Sequence, residues 1–464
     1  MTIDLREIFD QNEADRYALH ARHLNKHLVR HLASIGYDTS FTRGQGAYLY
    51  DRDGEEYLDL LAGWGVFAVG RNHPTIKAAL KSAIDSDLPN LVQMDVSVLA
   101  GVLAKKLLAH VPYLDRAFFA NSGAETVEAA IKLARAATGR SRIVYCSDAF
   151  HGLTYGALSM NGSDVYRNGF GSLLPDFTEV PFNDLEALER ALKDSDVAAF
   201  VVEPIQGASV KIPSDDYLPS AASLCKKYGA LLVVDEIQTG IGRTGRFLAV
   251  DHWGVEPDMV LLAKALSGGF VPIGALLTKD WVFEKVFERT GRAVAHGSTF
   301  SKNDLAMAAG IAALDVIESE RLVQRADQLG EHLLTEFRNM ARHHEIIRDV
   351  RGKGLMMAVE FGAPQSFKMQ AAWGTLETAK KGLFSLLVAI PLLKDHKILT
   401  QAGQRFIKLT PALTISESDC DRICRAFDAV LGESERVPSA IWSLGMSLIG
   451  NMRKARGMAQ SASA

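Results

Sequence analysis

Five short apolar runs in the middle of this 464-residue chain each end in residues equipped for chemistry. AFF (117–119) leads through Ala120 to Asn121-Ser122-Gly123-Ala124, and IVYC (143–146) leads to Phe150-His151-Gly152. VAAFVV (197–202) ends in Glu203-Pro204, LLVV (231–234) in Asp235-Glu236, and MVLL (259–262) in Ala263-Lys264. Ser122 before the helical stretch TVEAAIKLARAAT is a good N-cap, and Gly123 lets backbone approach a ligand closely. Free N–H groups and the helix dipole at such a start suit a phosphate. An ionised Asp235 beside a buried strand needs a cationic partner, for which a protonated pyridine nitrogen would serve as well as a structural ion pair. Lys264 lies 29 residues beyond Asp235, one β-α-β step on. A desolvated lysine there has a lowered pKa and can form a Schiff base. Any one of these ends could be an ordinary cap or loop polar; five in register suit one anionic, aromatic, carbonyl-bearing ligand.

Such convergence needs a scaffold. From about 75 to 310 apolar runs, including PIGALLT (272–278), alternate with amphipathic helical stretches, which predicts a parallel sheet covered by helices. Open parallel sheets bind ligands outside the carboxyl ends of their strands, where the five polar groups fall. Residues 1–40 read as helical, and AYLYDRDGEEYLDL (47–60) reads as a hairpin about Asp53-Gly54. A long helical segment after 315, with strand-like pieces at 355–361 and 405–410, reads as a smaller α+β domain. The expected division is 1–75, an N-terminal segment contributing to the small domain; 76–315, a large ligand-binding domain; 316–436, the C-terminal small domain; and 437–464, an amphipathic tail.

Composition narrows the class. Hydrophobic residues make up 48% and charged residues 23%, as in globular proteins, and a net charge of −4 argues against a nucleic-acid binder. Four cysteines without a CxxC pair predict neither a disulfide framework nor a metal site, and point to a reducing cytoplasm. The charged N-terminus is no secretory signal. The longest apolar stretch, Leu383–Leu393, is too short to span a bilayer.

In order along the chain, NSGAETVEAAIKLAR (121–135), FHG (150–152), EPIQG (203–207), VVDEIQTGIGRTGR (233–246), LAKALSGG (262–269), HGSTF (296–300) and RGKGLMMAVEF (351–361) resemble the class III aminotransferases, the ornithine, acetylornithine and 4-aminobutyrate type. The resemblance spans about residues 25–430. It implies the α/β fold type I of the pyridoxal 5′-phosphate (PLP)-dependent transferases, a large mainly parallel-sheet domain plus a smaller α+β domain, and a homodimer. It implies that Lys264 carries the cofactor aldehyde and, once freed by the substrate amine, moves the proton. Asp235 would pair with the ring nitrogen, Gln238 with the ring hydroxyl, and Phe150 and Ile237 would hold the two ring faces. Ser122, Gly123 and Ala124 would cradle the phosphate, Thr299 would reach it across the dimer interface, and Glu203 would join the polar network near the ring. The implied reaction moves an amino group from a primary amine to a carbonyl acceptor by a ping-pong route.

Three departures bear on the substrate. Where many family members carry a carboxylate-binding arginine, FIKLTPALT (406–414) has Lys408, which keeps the charge but not the bidentate fork. Leu153 replaces the arginine of HGR, and Ala208 the glutamate of EPIQGE. GLFSLLVAIPLLKDHKILTQ (382–401) adds apolar surface. PSAIWSLGMSLIGNMRKARG (438–457) sets Ile441, Gly445, Leu448 and Met452 on one helical face, with Trp442 and Ile449 beside it and Arg453, Lys454 and Arg456 after it. These features predict a bulky or lipid-like amine. The tail has two readings: a helix docked on its own domain or dimer partner, or an interfacial helix making peripheral contact with the inner membrane face. An ω-amine donor such as ornithine or a diamine, an aminomutase of the same family, and a catalytically silent cofactor-binding protein are the alternatives.

Overall fold

A computed structural model of the chain describes residues 3–92, 95–288, 290–436, 439 and 441–448. After three helices, Leu5–Asn12, Arg16–His23 and Lys26–Ser34, the strands run β1 (Phe41–Gln45), β2 (Tyr48–Asp51), β3 (Glu56–Asp59), β4 (Arg116–Ala120), β5 (Arg142–Cys146), β6 (Phe177–Val180), β7 (Val197–Val202), β8 (Leu231–Asp235), β9 (Met259–Leu262) and β10 (Gly274–Thr278). Toward the C-terminus come β11 (Ile347–Lys353), β12 (Met356–Phe361), β13 (Ile398–Leu399), β14 (Gln401–Ala402) and β15 (Phe406–Leu409).

The central sheet has the order β4-β10-β9-β8-β7-β5-β6. Every residue of β7, β8 and β9 is buried, because helices cover both faces and an alternating pattern would put polar groups in the core. β9, β8, β7, β5 and β6 are mutually parallel, whereas β10 is antiparallel to both β9 and β4. PIGALLT therefore does not continue the parallel set. Only the 3-10 turn Lys264–Ser267 lies between Leu262 and Gly274, too little for the helical crossover that a parallel neighbour requires. Because β4 is reversed against β10, it points the same way as the parallel strands, and all five polar strand ends emerge at one edge. The sequence reading passed over β6, a four-residue edge strand with one buried residue and no apolar run.

The hairpin expected over 47–60 forms as β2 and β3, turning at Asp53-Gly54 with φ +85° at the glycine. It belongs to a four-stranded sheet, β1-β2-β3-β13, whose last member comes from the far end of the chain. β13 pairs parallel to β3, and the Thr410 N–H donates to the Leu60 carbonyl and the Leu413 N–H to the Ala68 carbonyl. A second four-stranded sheet, β11-β12-β15-β14, holds the strands read at 355–361 and 405–410. The fully buried Arg243 donates to the carbonyls of Leu355 and Pro411, pinning the loop after β8 to both strands of this sheet's central pair at one end.

Burial overturns one expectation and favours the docked reading of the tail. The apolar stretch at 382–401 offers no greasy surface: it forms the helix Leu383–Lys394, in which ten of twelve residues are buried against the C-terminal core. The apolar face of the tail is likewise covered where it is described. Ile441, Trp442 and Leu448 are buried, Trp442 Nε1 donates to the Ser434 carbonyl at 2.7 Å, and a Cβ on Gly445 would meet Leu376 and Leu387 at 2.9 and 3.0 Å. Met452, Ile449, Arg453, Lys454 and Arg456 lie outside the described residues. Among the described residues no helix is long and apolar enough to cross a membrane.

Candidate active site

At the shared strand edge a cavity of about 870 Å³ is lined by Ser122, Gly123, Ala124, Phe150, Leu153, Glu203, Ala208, Asp235, Ile237, Gln238, Lys264 and Lys408, among others. Every residue singled out from the sequence lines it except Thr299. That residue is exposed and lines a separate cavity of about 1160 Å³ beside Leu88–Val92 and Phe118.

β4 delivers the helix start read as a phosphate site. The helix Gly123–Thr138 starts on Ser122, whose Oγ accepts from the Glu125 N–H at 3.2 Å, while Glu125 reaches back to the Asn121 N–H at 2.6 Å. The N–H groups of Gly123 and Ala124 are left facing the cavity at the positive end of a sixteen-residue helix. A side chain at position 123 would also crowd Ile237, since a Cβ there would come within 2.8 Å of Ile237 Cδ1.

β8 delivers Asp235, 3% exposed. One carboxylate oxygen accepts from the Ile237 N–H at 3.0 Å; the other meets His151 Nδ1 at 2.7 Å. His151 is buried, which opposes charge on the ring, but the Asp235 carboxylate outweighs that and raises its pKa. Its Nε2 has no hydrogen-bond partner among the described residues. The sequence reading quoted FHG without giving His151 a role; its signal was the strand end that also supplies Phe150, indistinguishable there from a loop polar.

β9 delivers Lys264. Its backbone is left-handed, φ 41°, a conformation that L residues adopt at a cost of roughly 1–3 kcal/mol and that clusters at functional sites. Burial lowers its pKa, against the pull of the Asp235 and Glu203 carboxylates. Glu203, at the end of β7, accepts from the N–H groups of Phe150 at 3.1 Å and Gly207 at 2.6 Å. Its own pKa is raised by burial.

Lys408 reaches the cavity from β15. It is 2% exposed, and Nζ donates to the Gly207 carbonyl and to Gln238 Oε1 at 3.2 Å. Burial, reinforced by nearby Lys264, pushes its pKa down to about 7. The ammonium read as a carboxylate grip is thus already engaged by the protein. The mouth is apolar: Trp64, Phe150, Leu153 and Tyr166 line it and keep 36–60% of their surface exposed. Trp64 sits in a left-handed run, Ala62 to Gly65, with φ 44°, 62°, 59° and 85°.

The set fits PLP on its own geometry: a helix start with unspent N–H groups and no room for a Cβ, a buried carboxylate held rigidly, and a desolvated amine, all facing one space.

Residues 34–431 match the family model described as aminotransferase class-III. The chain is 38% identical over 383 residues to the acetylornithine aminotransferase of Bacillus cereus, covering 82% of this chain and 92% of that protein. It is 35% identical over 459 residues to the aminotransferase PigE of a Serratia strain, covering 91% of this chain but 54% of PigE, so it spans about half the length of that relative. Among solved structures, the ornithine aminotransferase of Toxoplasma gondii ME49 aligns with a TM-score of 0.82 at 31% identity, over 94% of this chain and all of that one. Another structure of the Toxoplasma enzyme records partial PLP occupancy at its active site.

Proposed function

The chain belongs to the aminotransferase class-III family of PLP-dependent, fold-type-I enzymes, and from that premise we propose that it moves an amino group from a primary amine to a carbonyl acceptor in two half-reactions. The observation that carries the proposal is the meeting of Lys264, Asp235 and the Ser122–Gly123 helix start in one cavity.

When bound, PLP supplies an electron sink for the pair left on the amine-bearing carbon. The protein's part is binding, orientation and proton transfer. Gly123 and Ala124 N–H groups and the Ser122 turn would hold the phosphate. Phe150 and Ile237 would hold the two faces of the ring, and Gln238 would donate to its hydroxyl. Asp235, held by His151 and the Ile237 N–H, would pair with the ring nitrogen. Lys264 Nζ would hold the aldehyde and, when free, would take the proton from the amine-bearing carbon of the donor; its lowered pKa keeps a share of the amine unprotonated and basic. Glu203 fixes the backbone at Phe150 and Gly207.

The supported division is 1–75 with the small domain, 76–315 large, 316–436 small, and a tail after it; the pairing of β3 with β13 supports placing the N-terminal segment with the C-terminal part. The active form is a homodimer in which Thr299 of one copy meets the phosphate of the other: Thr299 is exposed and lies away from its own cavity. The location is cytoplasmic. The apolar mouth at Trp64, Leu153 and Tyr166, with Ala208 beside it, supports a bulky apolar amine. That reading no longer draws on the 382–401 stretch, and the covered face of the 441–448 helix lends membrane contact no support.

A half-reaction screen tests this. Amines from amino acids through diamines to lipid amines are added to the PLP-loaded protein, and loss of its visible absorbance is followed. An apolar amine should react fastest; ornithine or putrescine as the best donor would overturn the substrate reading and leave the reaction class standing.

A further inference from the structure

The Gln238 carboxamide is fixed from three sides. Its Nε2 donates to the Trp64 carbonyl at 2.9 Å, its Oε1 accepts from Lys408 Nζ, and the bare Cα of Gly207 lies against it, where a Cβ would come within 2.2 Å of Oε1. The Trp64 carbonyl can only accept, and Lys408 donates to two oxygens with or without its third proton, so both partners impose the same orientation on the amide. Lys408 Nζ also donates to the Gly207 carbonyl, whose N–H is taken by Glu203. One chain of bonds thus joins the N-terminal segment at Trp64, the turn after β8, the loop after β7, and β15. Among the described residues it leaves a single N–H of Gln238 unspent, on a residue that lines the cavity.

We propose that Lys408 is a positioning residue: by holding Gln238 Oε1 and the Gly207 carbonyl it aims the remaining Gln238 N–H at the ring oxygen of the cofactor, and it is not the grip for a substrate carboxylate. This rests on the PLP site proposed above. Lys264, Glu203 and Arg243 are the other charged groups that act on Lys408, and none of them bonds to Gln238 Oε1.

The test is the pH midpoint of the visible absorbance of the PLP-loaded protein, read without substrate. An oxygen that loses a donor holds its proton more tightly. K408M and Q238A should therefore each raise the midpoint by about one pH unit, the size of one lost charge-assisted hydrogen bond. K408R, which keeps donors for both oxygens, should return it to the wild-type value. If Lys408 acts through Gln238, the double variant K408M/Q238A should match Q238A within about 0.3 pH unit. Should K408M fail to accumulate folded, K408Q takes its place in the cycle. Additive shifts in the double variant would overturn the proposal. So would an unmoved midpoint in K408M accompanied by a raised KM for carboxylate-bearing substrates alone. A wild-type protein with no Lys264-dependent absorbance would sink the PLP reading itself, and this inference with it.

Discussion

Replacing Glu236 by glutamine should remove a pH-dependent penalty located beside residues that line the cavity. Glu236 lies between Asp235 and Ile237 and is 1% exposed. Its carboxylate accepts from the Val250 N–H at 2.7 Å and from the Thr239 hydroxyl, closing the turn that aims Ile237 and Gln238. Burial outweighs these bonds and raises its pKa from 4.5 to about 7. An acid whose pKa is higher in the folded state binds more protons folded than unfolded, so stability falls as pH rises from 4.5 to 7. At about 1.4 kcal/mol per pH unit, that interval costs about 3 kcal/mol by pH 8. Glutamine keeps a carbonyl for Val250 and offers its NH₂ to Thr239, whose hydroxyl can accept as well as donate. Urea unfolding of both proteins at pH 5 and pH 8, compared at constant m, isolates the effect from other titrating groups. The advantage of Glu236→Gln over wild type should grow by about 2–3 kcal/mol between the two pH values. Parallel pH profiles would show that the carboxylate is not penalised by its burial, and the reasoning would fail.

Lys264→Ala should abolish turnover while the protein folds and binds PLP non-covalently; near-normal turnover with excess cofactor and no added amine would contradict the assignment. Asp235→Asn should leave visible absorbance but slow its loss on adding donor roughly 100-fold or more, because the ring nitrogen loses its charged partner; an unchanged rate in stopped flow would refute the role. Sedimentation under assay conditions should show a dimer, with Thr299→Ala weakening PLP retention on dialysis, and a fully active monomer would exclude the shared site. Truncation after Arg436 uncovers the surface that Ile441, Trp442 and Leu448 bury. At about 1.5–3 kcal/mol for each large apolar side chain it should lower the melting temperature and leave vesicle binding unchanged, and equal melting would refute the docked helix.

The site was legible because strand ends are local. A buried run followed by Asp235, Glu203 or Lys264 is visible without knowing strand order, and a parallel sheet brings such ends together whatever the order. Partners chosen by tertiary approach were not legible. His151 becomes the Asp235 partner only when β5 and β8 flank β7, and Lys408 meets Gln238 only when β15 is laid over the turn after β8. The reversal of β10 followed from the shortness of its connection, a length argument available in the sequence. The mistaken greasy surface had the opposite cause. Apolar runs at 382–401 and 441–448 look alike whether they face solvent or each other, and only the packing of Phe384 at 6.1 Å from Trp442 tells which.

The parallel pairing of β3 with β13 has a consequence for how the chain can be made. Leu58 is registered with Ile398, a separation of 340 residues. At about 5–20 residues per second, roughly 17–68 s of synthesis pass before the edge of β3 receives its partner. During that interval an unpaired strand edge stands open, the kind of edge that recruits other chains. Assembly of the first sheet is therefore a late event, set by the last strands to be made, and the nascent protein depends on whatever shields residues 56–59 in the meantime. A fragment ending before residue 398 keeps that edge permanently, so deletions from the C-terminus should aggregate even where the central sheet is intact.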